Sequence, residues 1–426
     1  MRWFAAVLTL SACSARTSPD AGPQAAAVDP TEALLAAALA AHQRQDYPAF
    51  VAKTQHALAT DPDNAVHRYN LACGHALLGQ PDQAFAALQA TLDAGHFFDL
   101  EHDPDLASLH GDPRFDAMVT SLRDQVLRIH NGERAFDLGP ALDLAPEGIA
   151  HDPATGRTFV GSTRYGRIDV HQDGTVTPFA TIEVGGRPVS VLGLEVDAAR
   201  DRLWAVGTAF GAHVDNTPED AGITAVIGVD LASGAIHEVH RGDRPGHFGF
   251  NDVAVGPDGA LYLSGSGVFV VRPGTRAPVR LQEQPLSERP SNGIAVSSAG
   301  VLYVADREGI SRIDLTMMTR VELTPPEGVH LGRIDGLYAI EGGLVGVQHQ
   351  NPWRVVRIDL KPNGRTITGV EVIEQRPDAL VSATTGAVVG DDLLVIGRAA
   401  LPEGTDADGL GQFPGQATVL RVPLHP

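Results

Sequence analysis

The chain has 426 residues, too many for one ordinary compact core unless part of it is a repeat architecture. Asp and Glu outnumber Lys and Arg by 52 to 32, a formal net charge of −20, while 43% of residues are hydrophobic. This balance argues against a nucleic-acid partner, which needs a basic face. Two cysteines rule out a disulfide framework.

Residues 1–13 read as a secretory signal. Met1-Arg2-Trp3-Phe4 carries one positive charge, an apolar stretch runs to Leu10, and Ser11-Ala12-Cys13 follows. The stretch is too short to cross a bilayer as a helix, which takes about 20 residues. Leu10-Ser11-Ala12-Cys13 resembles the lipobox of bacterial lipoproteins, which implies that Cys13 is lipidated. A cell-envelope location follows, on the periplasmic or extracellular face, with the membrane reached by the lipid anchor only. Residues 14–30 are rich in Ala, Ser, Pro and Asp and lack apolar periodicity, as a flexible tether does.

Residues 31–129 have a helical period. Asp46-Tyr47-Pro48-Ala49-Phe50 recurs as Pro81-Asp82-Gln83-Ala84-Phe85, with Asp61-Pro62-Asp63-Asn64 as a turn between the copies. Leu71, Leu77, Leu78, Ala84 and Leu88 give an apolar face, and Cys73 reads as a buried helical thiol. Leu106-Ala107-Ser108-Leu109 before Asp112-Pro113-Arg114-Phe115 marks a final helix. The pattern resembles tetratricopeptide repeats. Two copies are too few for a free-standing solenoid, so the module is expected to pack on the rest of the chain or on a protein partner. His42, His56, His67, His75, His96 and His102 have no metal-ligand spacing and read as surface or helix-boundary residues.

Residues 130–426 change texture: β-rich runs alternate with turns such as Pro257-Asp258-Gly259. One two-strand phrase recurs six times. It starts at Glu147, Leu192, Asn251, Asn292, Asp335 and Thr385, at spacings of 45, 59, 41, 43 and 50 residues. This period predicts an all-β six-bladed propeller of four-stranded blades, preceded by the small all-α module. The wide gap implies an insertion, Phe210 to Gly222. The closing strand is either Ala417 to Val422 or a run around Arg134 to Leu138.

Equivalent positions of a propeller surround one axis, so the six phrase starts face one mouth of the channel. Glu147, Asn251, Asn292 and Asp335 are all oxygen donors. Such a set suits a hard divalent cation, Ca²⁺ first. Asn-Gly and Asn-Asp also form turns, but two carboxylates converging on one axis repel unless a cation or proton joins them.

Pro146-Glu147-Gly148, Phe250-Asn251-Asp252, Ser291-Asn292-Gly293 and Ile334-Asp335-Gly336 resemble the motifs of the SMP-30/gluconolactonase family and the related paraoxonase-like lactonases. The resemblance spans Pro146 to Pro423. It implies a calcium-type metal held by Glu147, Asn292 and Asp335, with Asn251 on the metal or on substrate, and hydrolysis of a small-molecule lactone or ester. The chain departs from the pattern in two places. The gluconolactonase Arg two positions before the first Asn is Gly249 here, and the place of the paraoxonase-like His dyad is Leu192, with His213 nearby in the insertion. Asp335 and His349 are the candidates for a catalytic base, and His247 is a candidate substrate contact. No Gly-x-Ser-x-Gly elbow is present. The rival reading is a metal-stabilised propeller that binds a ligand or protein partner without catalysis.

Overall fold

The computed structural model describes residues 30–62, 64–93, 98, 100–101, 103–126, 129–140, 144–209, 213–242, 249–281, 289–326, 329–349, 353–375, 379–380, 383–397 and 416–425. Two compact units divide the chain, one ending at Arg128 and one starting at Ile129.

The first unit holds five α-helices: α1 (Pro30–Gln43), α2 (Tyr47–Thr60), α3 (Ala65–Leu77), α4 (Pro81–Asp93) and α5 (Pro113–Val126). Local chemistry sets the boundaries. Asp46 accepts the Ala49 N–H at the start of α2, and Asn64 accepts the His67 N–H at the start of α3. The recurrent motif found in the sequence lies at the starts of α2 and α4. Phe50, Tyr69, Phe85, Leu88, Leu106, Leu109 and Phe115 share one apolar core. Leu106 and Leu109 belong to a short 3₁₀ segment, Pro104–Leu109, ahead of α5. Cys73 is buried in α3. His67, read as a surface or helix-boundary residue, stands in the first turn of α3 and is buried there, on the inner face with Asn70 and Gly74. No helix among the described residues is long and apolar enough to cross a membrane.

The second unit is the six-bladed β-propeller. Its described residues form six four-stranded antiparallel sheets. The inner strands are Pro146–Asp152, Ser190–Asp197, Phe250–Val255, Ile294–Val296, Ile334–Ile340 and Gly386–Val389. Each packs on the next, and Gly386–Val389 packs back on Pro146–Asp152, so the ring is closed. The two alternatives for the closing strand prove to be partners. Gln416–Pro423 is the third strand of the last blade, and Glu133–Pro140 pairs with it as the outermost.

The core lies between the blades. Phe159 and Ile168 meet Leu203 and Ile227 between blades 1 and 2. Trp204 and Val226 meet Phe250 and Leu263 between blades 2 and 3. Ile149 and Val160 meet Leu394 and Val419 where the sixth blade meets the first. Each sheet is therefore covered on both faces. That explains why the second strands, such as Arg202–Thr208, are almost continuously buried instead of alternating. Within the expected insertion, residues 213–222 include a 3₁₀ turn, Pro218–Asp220, capped by Thr217 and tied to Arg187 through Asp220.

Candidate functional site

The phrase starts are distinguished by a break in strand pairing. In blade 1, Pro146 pairs with Ser162 and Ile149 with Val160, so Glu147 and Gly148 stand opposite one residue. The same slip leaves out Leu192-Gly193, Asn251-Asp252 and Asp335-Gly336 in blades 2, 3 and 5. These are β-bulges, which re-aim side chains at barrel rims and near active sites. In blade 4 the strand starts later, at Ile294. Asn292 is held instead by its N–H to the Ala305 carbonyl at 2.9 Å, and Gly293 accepts the Ala305 N–H at 2.8 Å. In blade 6 the Thr385 hydroxyl donates to the Glu147 carbonyl and bolts the last blade to the first.

Glycine follows the phrase start in five of the six blades for a steric reason. A Cβ on Gly293 would lie 2.5 Å from the Asp335 carbonyl oxygen, and one on Gly148 would run into the Leu192 carbonyl. Blade 3 breaks the rule with Asp252. This buried residue places a carboxylate against Gly193 of the neighbouring blade. Its Oδ1 accepts the Val253 N–H at 2.9 Å.

The electrostatics follow from this crowding. Burial, then the charges of Asp335 and Asp252, push the Glu147 carboxyl well above its usual range. Burial pushes Asp252 up to about 7; the Val253 N–H offsets part of the rise and the Asp335 charge adds to it. Glu195, on the inner strand of blade 2, is pushed up to about 8 by burial and then by Asp252 and Asp197. Tyr338 is raised well above its ordinary value, first by burial and next by Asp252. Its hydroxyl accepts the Gly386 N–H at 2.6 Å. Glu147, Asp252 and Asp335 thus share one acidic environment.

Asn292 supplies the sharpest single observation. Its Oδ1 is shielded from solvent and has no hydrogen-bond partner among the described residues. A buried carbonyl-type oxygen left in that state costs about 1–3 kcal/mol. An amide acceptor without a donor, next in sequence to the glycine that packs on Asp335, fits a cation that takes oxygen ligands.

Asp335 and His349 are both buried and in contact, with His349 Nε2 3.0 Å from Asp335 Oδ2. The His349 N–H donates to the Arg333 carbonyl at 2.9 Å, and the His349 ring meets Trp353 edge-on at 6.4 Å. His349 is therefore no surface-loop residue. Asn251 is half-buried at its bulge. His213 is buried, and its Nδ1 accepts the Asp215 N–H at 3.0 Å, which anchors its own loop. His247 and Cys13 lie outside the described residues.

No known family model matches the chain, and no curated protein matches it. Three solved structures are similar to it. A gluconolactonase from Xanthomonas campestris shares 16% identity at a TM-score of 0.47, over 70% of this chain and 92% of that one. A luciferin-regenerating enzyme shares 16% at 0.46, over 68% and 94%. A calcium-binding protein, regucalcin, from Agrobacterium tumefaciens shares 17% at 0.43, over 67% and 93%. The propeller of this chain rests on its own six sheets.

Sequence reasoning missed Asp252 and Glu195. Asp252 left a signal, as the one non-glycine at the second place of the six phrases. Glu195 left none, because its neighbours come from other blades.

A second polar cluster lies in the helical unit. Cys73 Sγ and carboxylate oxygens of Asp103 and Asp105 lie within 4.8 Å of one another. Each already has a partner. Tyr69 donates to Asp103 at 2.6 Å, Cys73 Sγ is 3.9 Å from Asp103, and His42 Nε2 is 2.8 Å from Asp105.

Proposed function

We propose that the propeller is a divalent-cation-dependent hydrolase of lactones or related esters, with Ca²⁺ as the cation, anchored at the cell envelope through lipid on Cys13. The observation that carries this reading is the orphaned Oδ1 of Asn292, at the phrase start whose next residue, Gly293, packs on the Asp335 carbonyl, together with the acidic environment shared by Glu147, Asp252 and Asp335. The motif resemblance at Glu147, Asn251, Asn292 and Asp335 supports it.

Glu147, Asn292 and Asp335 would hold the ion, with Asn251 on the ion or on substrate. Bound there, the ion supplies Lewis acidity to a substrate carbonyl. His349 fixes the orientation of Asp335 through the 3.0 Å contact. One member of this pair takes the proton from the attacking water, and their contact lets the two share the resulting charge. The test is a lactone and ester panel run on purified protein with and without Ca²⁺. Cation-dependent turnover is expected, and a loss of about 10²-fold in His349→Ala would assign the base to His349. A folded, cation-loaded protein that turns over nothing in the panel would sink the reading.

One observation favours the non-catalytic alternative. A Cβ at Gly249 would lie 2.6 Å from the Thr224 side chain, so the arginine of gluconolactonases has no room at that place.

A further inference from the structure

Arginines in the propeller repeatedly sit beside a carboxylate. Arg320, fully buried in blade 4, pairs with Asp306 at 2.7 Å, and Arg289 joins the same carboxylate at 3.2 Å. Arg421 pairs with Asp392 at 2.9 Å, and Arg357 with Asp359 at 2.9 Å. Arg354 differs. Protein encloses most of it, yet its one polar partner among the described residues is an uncharged amide, with Nε donating to Gln348 Oε1 at 2.7 Å. Burial pushes its guanidinium down to about 10, and no carboxylate among the described residues offsets that effect. An enclosed cation without a counter-ion is costly, and is so in a chain of net charge −20 where carboxylates are abundant.

Its place in the fold gives that cation a use. Arg354 opens the third strand of blade 5, Arg354–Leu360, and pairs with Gln348, which pairs in turn with Ile334. This row is the end of the blade that carries Asp335 and His349. Two strand spacings, about 10 Å, separate the Cα atoms of Arg354 and Ile334. Gln348 is itself clamped, its Nε2 donating to the carbonyls of Gly332 at 2.8 Å and His330 at 3.0 Å. The amide therefore fixes one edge of the guanidinium, and its other N–H groups meet no acceptor among the described residues.

We infer that Arg354 binds a carboxylate carried by the substrate, several bonds away from the scissile ester. This rests on the hydrolase reading above and narrows it to anionic lactones or esters. The planar guanidinium matches a carboxylate with two parallel hydrogen bonds, which a lysine cannot reproduce.

The full chain loaded with Ca²⁺ should hydrolyse 4-acetoxybenzoate with a lower KM than phenyl acetate. Arg354→Gln should raise KM for the anionic ester by about 10- to 100-fold while leaving phenyl acetate nearly unchanged. Arg354→Lys should fall between the two. In parallel, calorimetry with the non-hydrolysed 4-acetamidobenzoate reads anion binding without turnover, and thermal melts show that each variant is folded. Equal effects of Arg354→Gln on both esters, or unchanged 4-acetamidobenzoate affinity, would overturn the assignment. Arg354-dependent binding with no hydrolysis of either ester would overturn the hydrolase reading and leave the anion site standing.

Discussion

The two units each bury a group of carboxylates, and the groups differ in how far they are satisfied. In the helical unit Asp103 accepts from Tyr69 and from the Asp105 N–H at 2.9 Å, and Asp105 pairs with His42. Tyr69, the Asp105 N–H and His42 thus each meet a carboxylate of this group. In the propeller, the charges of Asp335 and Asp252 add to the rise of the buried Glu147 carboxyl, that of Asp335 adds to the rise of Asp252, and the Asn292 amide oxygen meets no donor among the described residues. The first group is a closed structural network. The second holds an acceptor that meets no donor among the described residues, which under the proposed function a cation would take up.

That contrast can be broken at several points. The largest effect is expected for Asp335→Ala, which removes a proposed ligand and the partner of His349. Calorimetric Ca²⁺ binding and cation-dependent turnover should both disappear; a variant that keeps the parent's affinity would show that Asp335 does not hold the ion. Next comes the ion itself. At 100 times its Kd it should stabilise the folded protein by about 2.7 kcal/mol, so a chelator should lower the melting temperature of the propeller. An unchanged melt would place the ring among closed networks.

Asp103→Ala sharpens the comparison from the other side. It removes the Tyr69 bond and the cap of the 3₁₀ segment, for a cost of about 1–3 kcal/mol seen in thermal unfolding. Ca²⁺ affinity should not move; if it does, the helical network takes part in cation binding. The smallest effect is expected for Glu195→Gln. The carboxyl of Glu195 is raised to about 8 in the fold, above its unfolded value, so the folded state keeps a proton that the unfolded chain releases. Its contribution to stability is therefore present at low pH and is lost as pH rises toward 8. The Gln variant should melt with a flatter pH profile between roughly pH 5 and 8. Parallel profiles for variant and parent would remove the proton from Glu195.

The blades were legible because a propeller writes the same phrase six times, and strand alternation and turns survive in each copy. The phrase starts stood out for the same reason. What the sequence could not carry was the pairing of those residues across blades. His349 gave no local sign that its ring lies against Asp335, since that contact crosses a hairpin end. That Arg354 meets no carboxylate among the described residues is an absence, which no motif records. His67 sits at a helix boundary, one of its two expected places, but its burial was not legible, because a two-repeat module fixes helix phase only loosely by pattern and tertiary packing decides which face turns inward. The closing strand stayed ambiguous because both β-rich runs were real strands of one sheet.

That last sheet has a temporal consequence. Glu133 pairs with Arg421, so the first strand of the propeller to be synthesised waits for nearly the last. Until then the Glu133–Pro140 segment has no blade to join, and the sixth blade has only its two inner strands. Contacts so distant in sequence make slow folding the expectation, with an unpaired strand edge on display throughout synthesis. A nascent chain stalled before Gln416 would carry five complete blades and a sixth of two strands with an open, adhesive edge. The strand Gln416–Pro423 is thus the latch of the last blade, and a ribosome-bound truncation series should show protease resistance arriving in one late step.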